Sequence, residues 1–371
     1  MHTAYPPAWA QINLKNLDYN FRAVKRLVGD KVKVLVPVKS DAYGHGILPV
    51  SKRLEALGAD YLGVARIDEG IALREAGIAI PILILNTVLE NELEPVLDYG
   101  LTQTLCTRGL AKRLNRQARK RNLTASCHIK VDTGMSRIGV RYEDAYSFIK
   151  ELFKLSNLKI EGVFTHFPCA DNNPRFTLRQ IKLFNALTQR LGEEGMRIPI
   201  CHASNSIGVI NYPESHFNMV RPGLMVYGLY PKEGLSLRLK PLLSLKARIS
   251  FLKTVSKGSG IGYGHTYIAR KEMKIATLPV GYGDGYPRSL SNKAYCLIAG
   301  RPARITGRIC MDQMMVDVTK IGRVKIGQAA VLVGKQAGEM LSAEYLARLA
   351  GTIPYEITCS LGSRVKRIYI T

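Results

Sequence analysis

The chain has 371 residues, with Lys+Arg 53 against Asp+Glu 29 for a formal charge of +24, and 46% of its residues are hydrophobic. This is globular composition that excludes disorder, and the length suits two domains, or one large α/β barrel with an appendage, rather than a small stapled scaffold. No apolar run approaches the roughly 20 residues of a membrane helix, the opening MHTAYPPAWAQIN lacks a secretory pattern, and seven scattered cysteines without a C-x-x-C pair argue against a disulfide frame or structural zinc.

A cytoplasmic protein with no membrane partner is therefore expected. The basic charge could attract nucleic acid through its summed field. Its densest runs, KRLNRQARKR at 112–121 and RVKR at 364–367, contain no aromatic residue for base stacking, so no specific nucleic-acid partner is expected.

After an N-terminal amphipathic segment, short β-branched runs alternate with stretches of helical spacing. The runs predict strands at 32–38, 61–65, 82–85, 102–105, 127–131, 160–165, 198–202 and 219–220. The clearest helix, 109–121, sets Leu110 and Leu114 on one side and most of its basic residues on the other. Eight strand-helix units favour a closed (β/α)8 TIM-type barrel over an open doubly wound sheet, since no G-x-G-x-x-G turn follows an early strand.

From about Pro241 the texture changes to short apolar runs punctuated by glycine, which predict a mostly antiparallel β domain with one late helix at 342–349 capped by Ser342. The expected fold class is thus α/β. Residues 1–238 form the barrel and 239–371 the C-terminal β domain, with the N-terminal segment packing on the second domain.

In a barrel, function collects where strands end at their C-termini. Four ends stand out: Lys39 with SDAYGHG, Lys130 with VDTGMSRIG, His166 after IEGVFT, and HASNS at 202–206. A lone strand-end lysine is ordinarily a solvated one. Here Ser204, Asn205 and Ser206 follow one strand and Arg221, Pro222 and Gly223 another, offering hydroxyls and free backbone N–H groups suited to a phosphate. A barrel-mouth lysine plus a phosphate site is the minimum for covalent anchoring of pyridoxal 5'-phosphate.

With these residues in view, the sequence resembles the alanine racemase family. The matching strings are VKSDAYGHG, KVDTGMSRIGV, FTHF, HASNS, VRPGLMVYG, GYGHTY, PVGYGDGYPR, GRICMDQ and IPYEI, and they run through nearly the whole chain. The resemblance implies a barrel plus a C-terminal β domain, assembled as a homodimer with active sites shared between subunits. It also implies an isomerase that interconverts L- and D-alanine and supplies D-alanine for peptidoglycan. By position, Lys39 is similar to the Schiff-base lysine, and Tyr43, Ser206, Gly223, Leu224 and Tyr355 to the phosphate-binding residues. His166 resembles the histidine beside the cofactor ring, Arg221 the arginine facing the pyridine nitrogen, and Arg137 the arginine near the cofactor phenolate and substrate carboxylate. Met311 and Asp312 match the segment whose backbone N–H binds that carboxylate from the partner subunit. Tyr282 and Arg308 match the access channel, and Lys130 matches a lysine carbamylated in many relatives.

Racemisation takes the α-proton from one face and returns one to the other, so two bases must flank the carbon. Lys39 can serve one face, and the resemblance gives Tyr263 the other. A phenol near pKa 10 and an ammonium near 10.4 are both poor bases at neutral pH. Cationic neighbours and desolvation are expected to lower them, with His166 and Arg221 the candidates at Tyr263. A permanently charged Arg221 discourages protonation of the pyridine nitrogen, whereas fold-related decarboxylases carry glutamate there. The alternatives weighed are a serine or broad-specificity racemase, a barrel decarboxylase, a non-catalytic pyridoxal-phosphate carrier, and a metal-dependent hydrolase using Lys130, His166 and His202. The last lacks a first-strand H-x-H pair, and no resident metal is expected. Ser40, Asp41 and Pro354 depart from the family pattern and bear on the detail of the phosphate pocket.

Overall fold

The computed structural model describes residues 6–230 and 237–371. Strand β1 (Ala8–Asn13) and helix α1 (Leu14–Val28) open the chain. The barrel strands are β2 (Lys33–Pro37), β3 (Tyr61–Val64), β4 (Ile82–Ile84), β5 (Thr102–Leu105), β6 (Ala125–Asp132), β8 (Leu158–Phe164), β9 (Ile200–His202) and β10 (Met219–Val220), with a two-residue strand β7 (Val140–Arg141) beside β6. All eight pair in parallel. β5 bonds to β6, and β10 returns to β2 with Met219 opposite Lys33, so the sheet closes.

The strands read as near-continuous apolar runs because both faces are covered, one by helices and one by the barrel interior. Leu35, Tyr61, Leu83, Ile200 and Met219, all near strand starts, pack into one buried cluster that floors the barrel. Polar side chains take over toward the other end, where Gln103, His128 and His202 are fully buried.

The basic helix runs Arg108–Lys120, with Thr107 accepting from Leu110 N at 3.3 Å as its cap. Its buried face is Ala111, Leu114 and Ala118, while Leu110 is only partly covered. The small alanines at i and i+7, flanking Leu114 at i+3, let the helix sit close to the sheet.

The second unit comprises β11 (Leu243–Arg248), β12 (Phe251–Val255), a ribbon of β13 (Gly260–Ile261) and β14 (Tyr267–Ile268), β15 (Met273–Leu278), β16 (Tyr295–Ile298), β17 (Arg301–Ile305), β18 (Met314–Asp317), β19 (Ala329–Gln336), β20 (Glu339–Leu341) and β21 (Lys366–Ile370). Its main sheet is antiparallel except at one place. β1 lies between β11, antiparallel, and β21, parallel, so both ends of the chain build it. The late helix is Ala343–Ala350, and Ser342 Oγ accepts from Tyr345 N at 3.1 Å as predicted.

The two units meet over the turn that follows β2. A Cβ on Gly44 would lie 2.0 Å from the carbonyl oxygen of Thr358, and Arg367 Nε donates to the Gly44 carbonyl at 3.2 Å. Only a glycine permits that approach. Among the described residues no helix is long and apolar enough to cross a membrane.

Candidate active site

A cavity of about 450 Å³ opens at the C-terminal ends of the barrel strands. Lys39, Tyr43, Lys130, Arg137, His166, Ser206, Arg221, Gly223 and Tyr355 all line it, so nine residues predicted from widely separated strings converge on one space.

Lys39 and Tyr43 are brought there by an unusual turn. Ser40, Asp41, Ala42 and Tyr43 all have φ between 52° and 55°, a left-handed turn of non-glycine residues that costs roughly 1–2 kcal/mol per residue. Its neighbours hold it. His45 Nδ1 lies 3.0 Å from the Ala42 carbonyl and 2.9 Å from that of Tyr43; both partners only accept, so this nitrogen carries the proton. Burial lowers His45 to about 4 and keeps the ring neutral. Ser40 N donates to Glu69 Oε1 at 2.6 Å, and Asp41 Oδ1 accepts from Ile47 N at 2.8 Å. The two departures from the family pattern thus find local partners, and aspartate tolerates this conformation better than most residues.

The phosphate-type cradle combines both units. Tyr43 and Tyr355 stack obliquely with ring centroids 5.6 Å apart, and Tyr227 lies 4.8 Å from Tyr43 on another side. A Cβ on Gly223 would come within 2.9 Å of Tyr43 Oη, filling the space a ligand oxygen would use. Burial raises the Tyr43 phenol and pushes that of Tyr355 up to about 12, so both remain donors at neutral pH. Tyr355 stands on a short helix, Pro354–Cys359. Pro354 opens that helix, where its missing N–H has no intrahelical partner to lose. Leu224 is fully buried in the core, and its side chain does not line the cavity.

The opposite wall is cationic, and among the described residues no carboxylate lines the cavity. Arg221 Nη1 donates to His202 Nδ1 at 2.7 Å, and Nη2 donates to the carbonyls of Thr165 at 2.7 Å and Ala203 at 2.8 Å. His202 Nε2 lies 2.9 Å from His128 Nδ1. Since arginine can only donate, His202 accepts at Nδ1 and donates from Nε2 to His128. Burial lowers Arg221 to about 9 and His128 to about 3, and holds His202 well down with help from Arg221. His166, 3.3 Å from Arg221 Nη2, is lowered by burial, then by Arg221, Lys130, Arg137 and Lys39.

Lys39 is lowered by burial first and Arg137 second, against a smaller opposing influence from Glu69. Lys130 is lowered further by burial, Arg221 and Arg137, and its Nζ sits 4.4 Å over the Phe164 ring. A wall of crowded cations facing a hydroxyl-lined cradle calls for an anionic, ring-bearing group. Pyridoxal phosphate fits it: an amine for the aldehyde, donors for the phosphate, and cations for the phenolate.

Tyr263, Met311, Tyr282 and Arg308 are not in this cavity. They gather on the second unit. Tyr263 lines a separate groove with Cys310 and Met315 and is 71% exposed. Tyr282 N donates to the Cys310 carbonyl at 3.1 Å, Gly283 N donates to that of Met311 at 2.9 Å, and the Arg308 guanidinium lies against Gly264. Within one chain, then, neither His166 nor Arg221 touches the Tyr263 phenol.

Asn205, read from the sequence as part of a phosphate-type turn, lines the cavity as well, and so do Asn86, Phe164 and Cys359, which the sequence reading did not single out. Asn86 lies two residues past β4, where the strand-end rule could have found it. Cys359 follows Tyr355 by four residues on one helix face. Among the described residues no group of three His, Cys, Asp or Glu side chains is arranged to hold a metal ion.

The chain matches the family models "Alanine racemase, N-terminal domain" over residues 12–231 and "Alanine racemase, C-terminal domain" over residues 242–369. It is 47% identical over 366 residues to the alanine racemase of Halothermothrix orenii, covering 98% of this chain and 97% of that one. It is 45% identical over 368 residues to that of Carboxydothermus hydrogenoformans, covering 98% and 100%. The solved alanine racemase of Clostridium difficile 630 superposes with a TM-score of 0.94 at 38% identity, covering 100% of this chain and 97% of the other. That of Bacillus anthracis, solved with bound L-Ala-P, superposes with a TM-score of 0.93 at 33% identity, covering 100% and 96%.

Proposed function

The chain belongs to the alanine racemase family and is an isomerase that interconverts L- and D-alanine; we propose that it works with pyridoxal phosphate held in the barrel cavity, using Lys39 and the Tyr263 of a second copy as opposed bases. One observation carries this reading: a single cavity brings Lys39 together with a hydroxyl-lined cradle and a cationic wall. D-alanine of bacterial peptidoglycan is the product's place in metabolism.

When bound, pyridoxal phosphate supplies an aldehyde for an amine and a conjugated ring that accepts the electron pair left at Cα. Tyr43, Ser206, Tyr355 and the backbone at Gly223 and Leu224 would hold its phosphate, Lys39 its aldehyde carbon and Arg221 its pyridine nitrogen, with His166 beside the ring. Arg221, fixed by hydrogen bonds to His202, Thr165 and Ala203, offers that nitrogen an N–H rather than a proton to keep. Such an arrangement limits how long charge rests on the ring and favours prompt return of a proton to Cα.

Lys39 Nζ can hold and release the proton on one face, because burial and Arg137 weaken its hold. The exposed Tyr263 is available to serve the other face of a neighbouring site. Met311 N–H and Arg137 would orient the substrate carboxylate, and Tyr282 and Arg308 would line the approach.

Subunits carrying Lys39→Ala and Tyr263→Phe, each nearly inactive alone, test the sharing when mixed. Hybrid dimers that contain one intact composite site should recover alanine racemisation. Borohydride reduction should fix the cofactor to Lys39, read by peptide mass. Hybrids no more active than the parents would defeat the shared site, and a label elsewhere would defeat the lysine assignment.

A further inference from the structure

Arg137 sits at the cavity mouth on a loop between β6 and β7, and it is exposed. A long, exposed arginine can align a small carboxylate only if its loop stays still. The structure supplies an unusual reason why it would.

β6 ends at Asp132, whose side chain turns into the loop it begins. Asp132 Oδ1 accepts from Gly134 N at 2.8 Å, Met135 N at 2.8 Å and Ser136 N at 3.2 Å, and Oδ2 accepts from Ser136 N at 3.0 Å. Three consecutive amides, ending at the residue before Arg137, therefore converge on one carboxylate. Backbone nests of this kind bind anions, and here the anion is built into the chain. Ser136 takes φ 56° to complete the curl. The far end is fastened too, because β7 pairs in parallel with β6, Val140 opposite Val131 and Arg141 opposite Asp132.

We propose that Asp132 is a positioning residue for substrate recognition: its carboxylate locks the loop at 133–139 so that Arg137 meets the substrate carboxylate already aligned. This rests on the reading that Arg137 holds that carboxylate. Charge-assisted hydrogen bonds are about twice as strong as neutral ones, so replacing the carboxylate frees several backbone donors at once. The loop then orders only when ligand binds, and affinity falls by that ordering cost.

The test uses the cofactor-loaded enzyme and propionate, which has alanine's carboxylate and carbon skeleton without the amine. Asp132→Ala should weaken propionate binding by about tenfold or more and raise KM for alanine, while the affinity for pyridoxal phosphate stays within about twofold. Asp132→Asn keeps one acceptor and should fall between, with faster hydrogen exchange in the peptide spanning 133–138. It carries the test alone if the alanine variant does not fold. A folded Asp132→Ala enzyme that binds propionate as tightly as the parent, while Arg137→Leu binds it poorly, overturns the proposal. If Arg137→Leu also binds propionate normally, the role of Arg137 itself is wrong and the proposal falls with it.

Discussion

Arg221 donates to His202 Nδ1 at 2.7 Å, and this one bond fixes the tautomers of two histidines in succession. A guanidinium cannot accept, so His202 must present a lone pair to it and an N–H to His128. The barrel interior thereby holds its cation in one orientation through neutral rings, without a carboxylate that would soften its charge.

Arg221→Lys should disable the enzyme although charge is conserved. An ammonium cannot reach His202 and the carbonyls of Thr165 and Ala203 with the same planar fork. Each buried acceptor left without its donor typically costs about 1–3 kcal/mol. We expect a loss of roughly 10²-fold or more in kcat/KM, measured by steady-state racemisation. A lysine enzyme within about tenfold of the parent would show that charge alone suffices.

Lys130 is proposed to react with carbon dioxide, as the family resemblance suggests. Burial and two arginines favour its neutral amine, the form whose lone pair attacks the carbon of CO2 and loses a proton to give a carbamate. The product places an anion beside Arg221 and Arg137, the two charges that lower Lys130. Labelled bicarbonate should give a carbamate carbon signal that a Lys130→Ala chain lacks, and activity in CO2-depleted buffer should fall and return on adding bicarbonate. Full activity without CO2, and no such signal, would exclude the modification.

Gly44→Ala tests the seam between the two units. The added methyl would meet the Thr358 carbonyl at 2.0 Å, at a backbone with φ +82°. A rigid carbonyl cannot yield as a side chain would, so the helix carrying Tyr355 must shift. Cofactor affinity should drop together with Tm, by several degrees. An unchanged affinity for pyridoxal phosphate would mean that the seam does not set the cradle.

Acid should destabilise the cofactor-free protein earlier than its carboxylates alone would. His45 and His128, lowered to about 4 and about 3, stay neutral when folded, whereas an unfolded histidine takes a proton near 6.5. The unfolded chain therefore binds more protons. Stability from these groups is complete above pH 6.5 and declines as pH falls toward 4, by about 1.4 kcal/mol per pH unit for each histidine. Tm measured across this interval should drop steadily, and a flat Tm would contradict buried neutral rings.

Barrel closure and most of the cavity's residues were legible in the sequence, because short continuous apolar runs and the residues just past them follow local rules. Lys39, Lys130, His166 and Arg221 each end or follow such a run, and chain order is enough to bring them to one rim. The residues of the second unit were legible as a set, but their relation to the rim was not. Tyr355 reaches the cavity because Gly44 admits the Thr358 backbone, whereas Tyr263 and Met311 stay outside it in a single chain. Long-range docking depends on how surfaces fit once folded, and no local pattern encodes that fit. The left-handed turn at 40–43 was equally hidden: each of its residues disfavours that backbone alone, and only the surrounding bonds from Glu69, His45 and Ile47 make it stable. Sequence thus determined which chemistry the barrel rim carries, while tertiary contact decided which side chains can share one substrate.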